Sequence, residues 1–200
     1  MKVTRAQAEE NRRAVVEAAG RLFREHGVKG VGLAELMGAA GLTHGGFYKQ
    51  FKSKDDLVLE ACGQALDDGV GKWTRIVEKA EVEHADPLAA LVRHYLSPTH
   101  RDRVGTGCAL AGLGPDVVRP GEERAGLRQR FETSVQAYAG LLEQAMGADG
   151  SEDAALATLS TMVGALLLSR MVEDEACSRR ILDAAGASLL GHPATPHEGQ

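Results

Sequence analysis

Three cysteines in 200 residues, Cys62, Cys108 and Cys177, are too few and too widely spaced to staple a fold. They form no C-x-x-C pair and no cluster with histidine, so neither a disulfide framework nor a zinc module is indicated, and a reducing compartment is expected. Long hydrophobic runs are also missing. The longest apolar stretch, Met162 to Leu168, falls far short of the roughly 20 residues a bilayer span needs. The N-terminus, Met1-Lys2-Val3-Thr4-Arg5, leads into charge rather than an apolar run of signal-peptide length. A soluble cytoplasmic chain with no membrane partner is the expectation. No phosphate-binding glycine loop, metal pair or catalytic motif is present; His94 and His100 stand six apart, a spacing that does not place both on one helix face. No enzymatic activity, catalytic residue, metal or cofactor is therefore expected. No stretch alternates apolar and polar residues with β-branched enrichment, so strands are not needed.

What the chain does have is helical periodicity and an uneven distribution of charge. A hydrophobic content of 44% supports a proper core. The net charge is −5, but residues 1–54 hold ten Lys/Arg against five Asp/Glu, while the remainder holds 13 against 23. A basic head on an acidic body suits a nucleic-acid partner better than the sum does.

Val15, Ala19, Leu22, Phe23 and His26 share one face of a helix from about Thr4 to His26, stopped by Gly27. A short helix fits Leu33 to Ala40, with Gly32 at its N-cap and Gly41 ending it. The turn 41–43 leads into a third helix of about seven residues, to Gln50, with Phe47 and Phe51 facing the core. Ser53 caps a long fourth helix to about Ala80. Further helices are predicted from Pro87 to Leu96, from about Gly107 with an interruption or kink near Gly114-Pro115, from Glu122 to Met146, from Ser151 to Val172 and from Ser178 to Leu190. Residues 97–107 read as a loop.

Helix, short helix, glycine turn and second short helix is the arrangement that lays its last member in the major groove, where an element of helix width reaches base edges. Thr43, His44, Gly45 and Gly46 then face bases, while Tyr48, Lys49 and Lys54 lie where phosphates can be held. Two adjacent glycines inside so short a helix cost about 1 kcal/mol each against alanine. Either their bareness lets the backbone approach the groove, or the turn itself requires them.

The runs Gly27-Val28-Lys29-Gly30-Val31-Gly32-Leu33 and Ala40-Gly41-Leu42-Thr43-His44-Gly45-Gly46-Phe47-Tyr48-Lys49-Gln50-Phe51-Lys52-Ser53-Lys54-Asp55-Asp56-Leu57 resemble the TetR family signature over about the first 60 residues. The resemblance implies a dimeric repressor of operator DNA, phosphate contacts at Tyr48 and Lys54, core positions at Phe47 and Phe51, and C-terminal helices that hold a ligand. Gly32 departs from it, standing where the family usually has Thr, so a hydroxyl cap is missing.

Between Ala154 and Val172 apolar residues surround more than one helical face, more than one core can cover. With Ile181, Leu182, Ala185 and Leu189 on the companion helix, two such helices per subunit would form a four-helix seam across a two-fold axis. A homodimer is expected, setting two recognition helices about 34–36 Å apart on a near-palindromic site. Trp73, His94, Tyr95, Leu110, Phe131 and Met162 are candidate pocket residues for a small-molecule effector, each equally readable as core. Cys108 stands at a predicted helix N-terminus, where the dipole favours thiolate, so it is either a thiol sensor or a small buried residue. The organisation expected is all-α: a three-helix helix-turn-helix DNA-binding domain over 1–58, a helical dimerisation and ligand-binding domain over 59–190, and a flexible tail over 191–200. A helical protein-interaction module is the alternative, separated from a DNA-binding protein by salt-dependent DNA binding.

Overall fold

The computed structural model describes residues 4–118 and 125–191, and no strand occurs among them. The predicted tail beyond 191 and the start of the helix predicted at Glu122 lie outside the described residues. The helices are α1 (Arg5–His26), α2 (Leu33–Ala39), a 3₁₀ turn (His44–Lys49), α3 (Lys54–Val82), α4 (Pro87–Tyr95), α5 (Pro98–Asp102), α6 (Ala109–Val117), α7 (Ala125–Met146), α8 (Glu152–Met171) and α9 (Glu175–Leu189).

Two compact units result: residues 1–69 with 104–134, and residues 70–103 with 135–200. The first is larger than the head expected from the sequence, because the chain returns to it with α6. Its core is built by α1. Thr4 caps that helix by accepting the Gln7 N–H, and Gly27, at φ 74°, ends it while donating to the Phe23 carbonyl. The face between carries Val15, Ala19, Leu22 and Phe23 into the interior, packed with α2 and α6. Gly20 lets α3 come close: a Cβ there would stand 3.3 Å from the Ala61 carbonyl oxygen.

In the second unit α8 and α9 pack together, with α4 against both and α5 against α8. Ser151 and Asp174 cap the two long helices by accepting the N–H of Ala154 and of Cys177. The Asp174 cap starts α9 three residues before the predicted Ser178. α8 is long and apolar enough to cross a membrane by length and composition, which the longest apolar run had not shown because Thr161 and Ser169 bound it.

Two further expectations are corrected. The stretch 97–107 is not all loop: Ser97 accepts the His100 N–H and Pro98 occupies the first turn, so a short α5 forms where Pro and charge had suggested irregular chain. Nor does Pro115 interrupt α6. Near the end of so short a helix its missing N–H costs one bond, and the turn closes beyond it through the Val118 N–H on the Gly114 carbonyl.

Candidate nucleic-acid interface

The segment predicted to face bases forms the 3₁₀ turn His44–Lys49 of the first unit, tighter than the α-helix expected. Gly41, at φ 70°, makes the turn that leads into it, and the Leu42 N–H donates to the Met37 carbonyl at 2.8 Å. Phe47 is fully buried and stacks on Phe51 at 5.5 Å between ring centroids, which anchors the turn from inside. Tyr48 packs edge-on against Phe47 and leaves 68% of its surface exposed. Thr43, His44, Gly45 and Lys49 are exposed and Gly46 is half-buried. The Thr43 hydroxyl makes no capping bond to the turn.

Neither Gly45 nor Gly46 has a positive φ, and a Cβ at Gly45 would meet nothing within 4 Å. At Gly46 it would meet only the Met37 methyl at 3.5 Å, an ordinary contact. The turn therefore does not require these glycines, which removes one of the two explanations the sequence left open.

Lys54 is more committed than the sequence suggested. Its ammonium donates to the carbonyls of Val28 at 2.9 Å and Val31 at 2.5 Å, joining the start of α3 to the α1–α2 loop. An ammonium has three N–H donors, and these bonds use two of them. Two anchors went unseen in the sequence. Arg12 on α1 donates to the Gln50 carbonyl and to Glu60 and lies 4.3 Å over the Phe51 ring, fixing the exit of the turn. Asp116 on α6, 2% exposed, accepts the Val28 N–H at 3.1 Å. No local pattern in the sequence marks Arg12 or Asp116 for these roles.

The residues predicted to line a pocket divide between the units. Cys108, Leu110 and half-buried Phe131 belong to the first; Trp73, His94, Tyr95 and Met162 belong to the second. Cys108 is the N-cap of α6 and 9% exposed. Burial pushes the Cys62 thiol up to about 12, with Asp116 adding to the effect. In the second unit Trp73 packs edge-on against Tyr95 and Tyr138, at 5.6 and 4.7 Å. His94 and His100, which no single helix face could unite, meet with rings stacked at 6.2 Å because the chain turns between α4 and α5. Burial holds His100 down at about 4 despite its 2.7 Å bond to the Tyr95 carbonyl, and burial lowers His94 as well. Among the described residues no group of three or more potential metal ligands occurs.

Residues 15–61 match the family model of bacterial regulatory proteins, tetR family. Over 57 residues, 28% of this chain and 26% of the relative, the sequence is 42% identical to the HTH-type transcriptional regulator AcrR of Shigella flexneri. Over 91 residues, 46% of this chain and 42% of the relative, it is 33% identical to the HTH-type transcriptional repressor BepR of Brucella suis biovar 1. The chain thus matches less than half the length of these regulators of transcription. The fold as a whole is similar to that of E. coli NemR in its reduced form, with a TM-score of 0.73 at 18% identity, covering 94% of this chain and 99% of that one.

Proposed function

We propose that this chain, whose residues 15–61 match the model of the tetR family of bacterial regulatory proteins, is a ligand-responsive repressor, binding a near-palindromic operator as a homodimer in the cytosol. The observation that carries the reading is the open surface 43–49: an exposed tyrosine on a buried phenylalanine, beside two glycines whose bareness the fold itself does not need. Bare backbone at Gly45 and Gly46 lets the turn approach base edges closely, with Thr43 and His44 supplying polar side chains there. Tyr48, Lys49 and the remaining N–H of Lys54 hold phosphates on either side.

The dimer seam is formed by α8 and α9. Met171 is 76% and Leu168 54% exposed on α8, and a second copy of that face would cover them. The effector is a small molecule held beside the aromatic group Trp73, Tyr95 and Tyr138 of the second unit, with His94 at its edge. A thiol-reactive signal at Cys108 is the weaker variant, because a thiol only 9% exposed must be uncovered before a reagent reaches it.

The test is selection of bound duplexes from a random pool at about physiological salt, with the wild type and with Tyr48→Ala. The reading requires an enriched sequence with two-fold symmetry that Tyr48→Ala fails to enrich. A stable dimer that enriches nothing would leave the chain a protein-interaction module.

A further inference from the structure

We infer that Asp116 is a positioning residue for DNA recognition, holding the α1–α2 loop so that the reading turn presents its open face; the inference rests on the DNA-binding reading above. The peptide unit at Val28 is gripped at both ends. Its N–H is donated to Asp116 Oδ2 at 3.1 Å from α6, and its carbonyl accepts from Lys54 Nζ at 2.9 Å from α3. Lys54 also takes the Val31 carbonyl at 2.5 Å.

The loop between these grips buries Val28 and Val31, but its own backbone bonds and caps are few. Gly27 sits at φ 74°, the Gly30 N–H reaches the Gly27 carbonyl at a long 3.3 Å, and Gly32, at the N-cap of α2, has no side chain to cap with. A Cβ at Gly27 would stand 3.3 Å from Asp116 Oδ2, so the carboxylate lies close against the loop backbone and a bare residue admits it. The loop feeds α2, and α2 packs on the reading turn, with Met37 beside Gly46. A shift at Val28 therefore moves the surface that must match a groove to within a fraction of an ångström.

Asp116 is 2% exposed, so it touches no DNA, and its effect on binding is transmitted through Val28. Charge alone predicts the opposite sign. Removing an acid near a polyanion strengthens association, whereas losing a grip on the loop weakens it. Ala and Asn at this position remove the same charge, but Asn keeps a carbonyl oxygen to accept the Val28 N–H. Their difference reads the grip.

The experiment measures the dissociation constant of the duplex enriched by the wild type, from about 50 to 200 mM salt, for wild type, Asp116→Ala and Asp116→Asn, well below each protein's unfolding temperature. Asp116→Ala is expected to bind about tenfold more weakly with an unchanged salt slope, since no phosphate contact is lost, and Asp116→Asn to bind within about threefold of wild type. Asp116→Ala binding as tightly as wild type or tighter overturns the inference, and so does an Asn variant as weak as Ala. Should Ala fail to fold, Asn decides alone, a tenfold loss contradicting the grip. A wild type that enriches no duplex instead removes the DNA-binding reading itself, a different result from a wild type that binds and an Ala variant that binds equally.

Discussion

The segment 28–54 and the helices of the second unit are held in place by different kinds of force. In the first, short elements are located by charged side chains reaching single backbone groups: Arg12 on Gln50, Lys54 on Val28 and Val31, Asp116 on Val28. In the second, α8 and α9 pack together and bury residues such as Leu159, Met162, Leu166 and Leu182, with Ser178 donating to the Ser169 carbonyl between them. A hydrogen bond to a chosen backbone atom specifies position closely, while apolar packing supplies free energy and tolerates volume-conserving change. A surface that must fit a groove calls for the first kind, and a body that must hold together calls for the second.

The comparison breaks most visibly where the segment 28–54 does rely on packing. Phe47→Ala removes its one fully buried ring and should cost about 3–5 kcal/mol in denaturant unfolding. A loss below about 1 kcal/mol would mean that Phe47 does not anchor the turn.

Acid should separate the units next. The fold holds His100 at about 4, and the unfolded chain returns it to its ordinary 6.5, so between these values the unfolded state binds more protons. Stability is fully present above about pH 6.5, falls as pH drops through the window and levels below about 4, a loss of roughly 3 kcal/mol at 1.36 kcal/mol per unit. His100→Gln should flatten that part of a stability–pH profile; an unchanged profile would assign the acid sensitivity elsewhere.

Tyr48→Ala should weaken operator binding at least tenfold, about 1.4 kcal/mol, while leaving the unfolding temperature nearly unchanged, because the side chain is 68% exposed. Lys54→Ala should lower both quantities, since it frees the loop as well as a phosphate contact. Equal stability of Lys54→Ala and wild type would show that its two carbonyl bonds hold nothing. The smallest effect is expected of Leu166→Met in α8, below about 1.5 kcal/mol, measured by the same unfolding curves, although Leu166 is wholly buried.

Much of this was legible in the sequence where the determinants are local. Gly27 and Gly41 punctuate helices, Phe47 and Phe51 repeat at helical spacing, and Ser53 caps α3, so the element order of the head could be read directly. Partners far apart in the chain were not legible. Asp116 meets Val28 across 88 positions and Lys54 meets it across 26, and a lone acid or lysine carries no sign of which carbonyl or amide it will find. For the same reason the return of 104–134 to the first unit was missed, and the two histidines were judged by a single helix that the chain does not form.

The most direct test of the account is hydrogen exchange of the full chain, read peptide by peptide, with and without the duplex its own selection enriches. Slowed exchange concentrated in 28–54 is the result the account predicts. Protection confined to α8 and α9, with none over 43–54, would contradict it.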